Sequence, residues 1–278
     1  MRFVPSSSVL VLALSLAACA GGSRVAYEGP EDAYRRGMEY LDAGKYAQAI
    51  PYLQGVFDFG RTHEWAADAQ LALARAYRLN KEYLLAANEY TRFTQIYRSD
   101  ERVPQASFDL AMTYYDRAPE YRLDQSDTEA AVNQFQLYMT RYPEGPLAEE
   151  AGIRIVELRN RLAQKRFDAG LQYDARGLHE AAGITFESVF DEYFDTEWAD
   201  DALVAAIRAY TQYAEQSIQT RKAERLERAV ASYDRLLQIF PGSPLVKEAE
   251  ELYRVAAQRL ADMRKPAPAA PAEGGASR

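Results

Sequence analysis

The segment Glu64–Tyr77 reads EWAADAQLALARAY, and the segment Glu197–Tyr210 reads EWADDALVAAIRAY. Nine of the fourteen positions are identical, and the two segments contain both tryptophans of the chain. Apolar residues recur at spacings of three and four, which is typical of an amphipathic helix. Pro143–Ala151 (PEGPLAEEA) is similarly related to Pro241–Ala249 (PGSPLVKEA). Such internal similarity indicates a repeated supersecondary unit.

The repeated unit resembles the tetratricopeptide repeat, a helix–turn–helix of 34 residues. That repeat has a small residue at position 8, an aromatic residue at 11, alanine at 20 and a large apolar residue at 24. Small residues let the two helices approach closely, and the large ones fill the space around them. The resemblance predicts an all-α superhelical solenoid of about five helix pairs plus a C-terminal helix. In the first two repeats these positions hold Gly37, Tyr40, Ala49, Leu53, Ala74, Tyr77, Ala86 and Tyr90.

The repeats predict how the rest of the chain is organised. A long helix from about Pro146 to Asp174 is expected to join two halves of the array. The C-terminal sequence KPAPAAPAEGGASR has no helical periodicity, so we expect it to be disordered. The predicted order is a lipoprotein signal peptide (1–18), a lipidated tether (19–30), an N-terminal half with repeats one to three (31–143), a C-terminal half with repeats four and five and a final helix (144–264), and the tail (265–278).

The only cysteine, Cys19, directly follows Leu16-Ala17-Ala18 at the end of a short apolar stretch. About ten apolar residues are roughly half of what a membrane-spanning helix needs, so the stretch reads as a cleaved export signal. A cysteine at this point matches the pattern by which bacterial lipoproteins mark their acylated residue. The alternative is a chance free cysteine in an ordinary signal peptide. We predict that Cys19 is acylated, because two or more acyl chains hold a protein stably in one leaflet.

Composition and charge exclude several classes of function. The net charge of −8 argues against a nucleic-acid partner, whose phosphates would repel the chain. The two histidines, His63 and His179, lack the spaced companions that a metal site or an activated nucleophile needs. We therefore predict a protein that is not an enzyme and that has no metal and no cofactor, with His179 as a packing residue.

Longer stretches resemble the BamD family, tetratricopeptide lipoproteins of the machine that folds β-barrel proteins into bacterial outer membranes. They are Tyr34–Tyr52, Arg122–Tyr142 and Ala148–Thr196, together with the lipobox at Cys19. Phe194 departs from the family pattern, which usually has a proline there. The resemblance implies a scaffold subunit, lipid-anchored at the periplasmic face of the outer membrane. Its implied partners are unfolded outer-membrane proteins, the periplasmic domains of the insertase BamA and other lipoproteins of the complex.

Positions of the first helix that face the concave surface of such an array predict a peptide-binding groove in repeats one to three. Apolar and aromatic side chains beside arginines suit a peptide ending in an aromatic residue and a carboxylate, which arginine can bind through two parallel hydrogen bonds. The resemblance implies that this peptide is the C-terminal signal of unfolded barrel substrates. Alternatively, the apolar members belong to the repeat core and the arginines only solvate the surface. The predicted groove residues are Tyr34, Met38, Leu41, Arg75, Arg78, Phe108, Met112 and Tyr115.

The resemblance also implies that the C-terminal repeats contact BamA. We expect this contact on the helices between about residues 177 and 240, where Arg208, Arg225 and Arg228 are predicted to expose positive charge. An alternative function is that of a periplasmic adaptor lipoprotein of the Tol–Pal type, although no heptad run precedes Tyr34 as that family would require. A further alternative is a regulator of cell-wall enzymes.

Overall fold

A computed structural model describes residues 25–264, and these residues form eleven α helices and no β strand. Five helical hairpins follow one another and a last helix ends the described chain, which confirms the predicted all-α tetratricopeptide fold. A short 3-10 turn, Val56–Phe59, follows the second helix. The helices are α1 (Pro30–Asp42), α2 (Tyr46–Gly55), α3 (Ala66–Leu79), α4 (Tyr83–Ile96), α5 (Val103–Arg117), α6 (Ser126–Arg141), α7 (Ala148–Ala175), α8 (His179–Tyr193), α9 (Ala199–Glu215), α10 (Gln219–Ile239) and α11 (Val246–Arg264).

The chain divides into two compact units, the first ending at Ala106 and the second beginning at Ser107. The first unit contains α1 to α4, and the second contains most of α5 together with α6 to α11. The predicted division of the repeats at residue 143 stays a prediction. The long helix expected from about residue 146 is α7, whose 28 residues run from Ala148 to Ala175. The signal peptide, Cys19 and the tail at 265–278 lie outside the described residues.

Tight turns end the first helix of two hairpins in the same way. Gly44 has φ +71° and Gly177 has φ +73°, a left-handed conformation that favours glycine. The amide that follows each glycine then donates back to the helix, from Lys45 to the Tyr40 carbonyl at 2.9 Å and from Leu178 to the Tyr173 carbonyl at 3.0 Å. These bonds satisfy carbonyl groups that a helix end otherwise leaves without a partner.

Close contacts between paired helices depend on glycine. A Cβ atom built on Gly37 of α1 would lie within 3 Å of the Leu53 side chain on α2, and one on Gly170 of α7 would meet the ring of Phe186 on α8 in the same way. Leu53 and Phe186 are almost completely buried. Both of these hairpins are therefore closed by a large side chain that lies directly on the backbone of the partner helix.

The internal repeat extends beyond the two fourteen-residue segments that match most closely. Residues 34–77 and 167–210 align without a gap, with sixteen of 44 positions identical. The ring of Tyr34 lies 5.4 Å from that of Trp65, and the equivalent rings of Phe167 and Trp198 lie 5.3 Å apart. The two copies thus share an aromatic contact between the first helix of one hairpin and the start of the next.

Gly183 on α8 provides a stability test because a Cβ there would lie within 3 Å of the ring of Tyr210, which is fully buried on α9. We expect Gly183→Ala to destabilise the protein by about 1–3 kcal/mol, since the packed ring cannot move aside freely. Gly152→Ala on α7 is the matched control, because its Cβ would meet only Met139 at 3.9 Å. Alanine is preferred over glycine inside a helix by about 1 kcal/mol, so this variant should be as stable as the parent or more so. Urea unfolding measures both, and equal stability of the two variants would contradict the packing argument.

Candidate polypeptide-binding surfaces

The predicted groove residues of the first unit do not share one environment. Leu41 is buried with 4% exposure, so it is a core residue rather than part of a surface. Tyr34 is half-buried against Trp65, and burial raises the pKa of its hydroxyl above the ordinary value. Met38 is half-buried and Arg75 is exposed, whereas Arg78 is half-buried and has an interaction partner within the protein. Arg75 is therefore the member most accessible to a polypeptide.

The three predicted residues of the second unit all lie on α5, and one of them is wrongly predicted as surface. Phe108 is 5% exposed and packs edge-on against Phe135 and Tyr138 of α6, with ring centroids 5.5 Å away in both cases. Met112 packs against the same apolar cluster while keeping part of its side chain accessible. Phe108 thus closes a hairpin, because it faces the second helix of its own repeat.

Tyr115 is the centre of a polar cluster that links α5 to α7. Its hydroxyl donates to Glu157 at 2.6 Å, and Arg161 donates to the same Glu157 oxygen at 2.8 Å. Arg154 donates to the other Glu157 oxygen and to the Tyr115 hydroxyl, both at 3.3 Å. The guanidinium groups of Arg154 and Arg161 also lie 5.1 and 5.5 Å from the centroid of the Tyr115 ring.

The charges in this cluster are fixed by its geometry. Burial raises the pKa of Tyr115 and the hydrogen bond to Glu157 raises it further, so the hydroxyl stays protonated. Burial opposes ionisation of Glu157, but the hydrogen bonds from Tyr115 and Arg161 bring its pKa below the ordinary value. The Nε atom of Arg154 is buried without a hydrogen-bond partner among the described residues. Arg154 also donates to Glu150 at 3.4 Å, so two guanidinium groups lie among two carboxylates and one aromatic ring. A carboxylate and an aromatic side chain from another polypeptide can be received here by replacing one of these acceptors.

Sequence reasoning missed the α7 members of this cluster. Arg154, Glu157 and Arg161 are spaced at three and four residues, so the periodicity does place them on one helix face. That they meet Tyr115 is a tertiary contact between residues about forty positions apart, which no local pattern indicates.

The three arginines predicted to bind a partner through the C-terminal repeats already have partners within the protein. Arg208 is exposed and donates to Glu248 of α11 at 2.7 Å. The guanidinium of Arg225 lies 3.7 Å from the centroid of the Tyr213 ring and donates to Ser217. Their assignment to a partner surface stays a prediction, but these side chains also hold neighbouring helices together.

Arg228 belongs to a polar cluster that links α8, α9 and α10. It donates to Glu187 at 2.6 Å and lies 4.1 Å from the centroid of the Tyr210 ring. Tyr210 donates to the same Glu187 oxygen at 2.5 Å. Arg228 thus neutralises a largely buried carboxylate that α8 places between α9 and α10.

The histidines take structural positions. His179 Nδ1 lies 2.6 Å from an Asp174 carboxylate oxygen across the α7–α8 turn, and His63 Nε2 lies 3.1 Å from the Val56 carbonyl. Across residues 25–264, no three histidine, cysteine, aspartate or glutamate side chains are grouped so that they could hold a metal ion. None of the helices in this range combines the length and the apolar character needed to cross a membrane.

Comparison with known proteins gives a consistent result. A family model described as an outer membrane lipoprotein, YfiO, matches residues 27–226. The outer membrane protein assembly factor BamD of Caulobacter vibrioides is 27% identical over 208 residues, which cover 73% of this chain and 68% of the relative. The BamD proteins of Pasteurella multocida and Vibrio cholerae are 25% and 26% identical over 221 and 225 residues, and each alignment covers 76% of this chain and 85% or 92% of the relative.

The crystal structure of a tetratricopeptide-repeat protein from Bacteroides fragilis can be superposed on this chain with a TM-score of 0.48 and 13% sequence identity. The superposition covers 84% of this chain and 100% of the Bacteroides chain. The fold assignment here rests on the helical hairpins themselves and not on that likeness. The family match covers both copies of the internal repeat and more than two thirds of the chain. The protein therefore belongs to the YfiO family of outer membrane lipoproteins.

Proposed function

We propose that this protein is a non-catalytic subunit of the complex that assembles proteins in the bacterial outer membrane. The observation that supports this most directly is the family match over residues 27–226, together with relatives that are named outer membrane protein assembly factors. The same relatives disfavour the Tol–Pal adaptor and the cell-wall regulator as alternatives. In this function the helical hairpins bind polypeptides, and no bond is made or broken.

Membrane attachment is proposed to come from acylation of Cys19. Cys19 lies eleven positions before Pro30, where α1 begins. A lipid anchor at this point would keep the first unit at the periplasmic face of the outer membrane. The function thus combines a fixed place at the bilayer with surfaces that bind other polypeptides.

Two surfaces are proposed to bind unfolded barrel proteins through an aromatic residue and a carboxylate. In the first unit, Arg75 is exposed on α3. In the second unit, Arg154 and Arg161 flank Tyr115. Charge-assisted hydrogen bonds from a guanidinium are the strong contacts available to a carboxylate. Contacts with the periplasmic domains of BamA and with other lipoproteins of the complex are proposed for the α8–α10 region, which includes Arg208.

The anchor has a direct test. Cys19→Ser should remove the acyl groups and release the chain from membranes into the soluble periplasmic fraction, because no thiol remains for modification. Ala20→Ser is the matched control and should stay membrane-bound with acyl chains detected by mass spectrometry. A parent protein whose mass shows no acyl chain, or a Cys19→Ser variant that stays fully membrane-bound, would contradict the proposed attachment.

The assembly function is tested by its partners. A tagged full-length chain, extracted from membranes in mild detergent, is expected to co-purify with the barrel insertase BamA. Mass spectrometry identifies the proteins that are retained. Recovery of Tol-system proteins or a cell-wall hydrolase without the insertase would instead favour one of the alternatives.

The substrate contact is tested by charge reversal at Arg75. We expect Arg75→Glu to weaken binding of a synthetic barrel-derived peptide ending in phenylalanine by about ten- to a hundredfold, since a charge-assisted bond contributes about 1.5–3 kcal/mol. Arg92→Glu is the control, because Arg92 is also exposed but lies on the second helix of the hairpin. The same peptide with an amidated C-terminus should bind the parent protein about as weakly as the peptide with a free C-terminal carboxylate binds Arg75→Glu. Unchanged affinity in calorimetry or anisotropy would remove Arg75 from the peptide site.

A further inference from the structure

Ala26 and Tyr27, which precede α1, pack against the first unit and form hydrogen bonds with it. The Tyr27 ring lies directly on the backbone of Gly55, where a Cβ atom would overlap it. The Tyr27 hydroxyl donates to Asp58, and Arg36 of α1 donates to the Ala26 carbonyl at 3.2 Å. The chain therefore enters the fold at a defined point, at the end of the hairpin where α1 begins and α2 ends.

Large apolar side chains are exposed at this same end of the unit. Phe59 is 49% exposed and makes an edge-on contact with Tyr27, with ring centroids 6.2 Å apart. Ile96 ends α4 and is 47% exposed. The hydroxyl of Tyr97, the next residue, donates to the Arg61 carbonyl at 3.2 Å, so the end of α4 lies beside the turn that carries Phe59. We call Tyr27, Phe59, Ile96 and the exposed Arg98 the entry corner.

The distance from Cys19 to the entry corner is limited by chain length. Eight positions separate Cys19 from Tyr27, which span at most about 28 Å when fully extended. The opposite end of α4, at Tyr83, is separated from the entry corner by the length of that helix, about 21 Å for its 14 residues. An acyl chain on Cys19 would therefore keep the entry corner within about 28 Å of the lipid headgroups and, on average, closer to them than the hairpin turns.

We propose that the entry corner is a bilayer-contact surface, on which Phe59 and Ile96 enter the headgroup region while Arg98 faces lipid phosphates. This inference rests on the proposed acylation of Cys19. Aromatic and aliphatic side chains flanked by arginine form the usual combination at a membrane interface. A weak contact is sufficient, because the anchor keeps the surface at an effective concentration on the order of millimolar. The result is a unit that is oriented on the membrane as well as attached to it.

Single-cysteine labelling of the full-length lipidated protein tests the contact. The thiol of Cys19 is consumed by acylation, so Thr62→Cys offers one free thiol on the exposed turn between Phe59 and α3. Ala47→Cys is the matched control, exposed in the same unit at the opposite end of α2. Each variant carries a polarity-sensitive fluorophore and is reconstituted in vesicles of phosphatidylethanolamine with a minority of phosphatidylglycerol and a shallow nitroxide-labelled lipid.

We expect the label at residue 62 to be quenched severalfold more strongly than the label at residue 47. Adding Phe59→Ser and Ile96→Ser should bring the two close to equal, whereas Leu84→Ser should change nothing. Leu84 is 59% exposed at the other end of α4, so it controls for the loss of apolar surface.

The outcomes separate the contact from the anchor. A chain that floats with vesicles while both labels are quenched equally overturns the bilayer contact and leaves the anchor intact. A chain that carries no acyl group and does not float overturns both. Stronger quenching at residue 62 that requires an added protein subunit, rather than lipid alone, overturns the assignment to lipid.

Discussion

Everything in this structure depends on how closely the two helices of a hairpin approach. Gly37 and Gly170 let Leu53 and Phe186 lie directly on the backbone of the neighbouring helix. This contact fixes the rotation of each helix about its axis, because only one face can meet the glycine. The rotation in turn decides which side chains enter the core and which remain available to a partner. Binding surfaces in this fold are therefore a consequence of small residues buried inside the hairpins.

The two copies of the internal repeat carry different side chains at one equivalent position. Gln54 donates to the Tyr77 hydroxyl at 2.6 Å in the first unit, and the equivalent Glu187 accepts from Tyr210 in the second. Gln54 is exposed and needs no charged partner, whereas Glu187 is largely buried, and a buried carboxylate needs a compensating cation. Arg228 supplies that cation. Arg228 lies on α10, after the second copy of the repeat, and it stabilises the packing around that copy. A count of positive residues along the sequence does not indicate this role.

The sequence predicts the helical hairpins well and the binding surfaces only in part. Helix pairs follow from local periodicity and from small residues at fixed spacing, and both are visible along the chain. Whether Leu41 or Phe108 faces solvent depends on what the neighbouring helices bring against them, and both are buried. Arginines such as Arg225 are found by composition, but their acceptors and aromatic partners are determined by tertiary contacts. Local patterns thus predict the elements, while long-range packing selects the accessible residues.

The cluster around Tyr115, which is proposed to bind a polypeptide carboxylate, is built so that a bound chain would be released readily. Arg154 and Arg161 already donate to Glu157, so a carboxylate arriving from a polypeptide exchanges one acceptor for another rather than filling a vacant site. The net free energy of binding is then a difference between two similar sets of hydrogen bonds. The internal carboxylate holds the two arginines in position, and the affinity for an incoming carboxylate would therefore be moderate. The proposed function, in which the protein receives unfolded chains and passes them to an insertase, requires this balance, because a tightly held substrate would not leave.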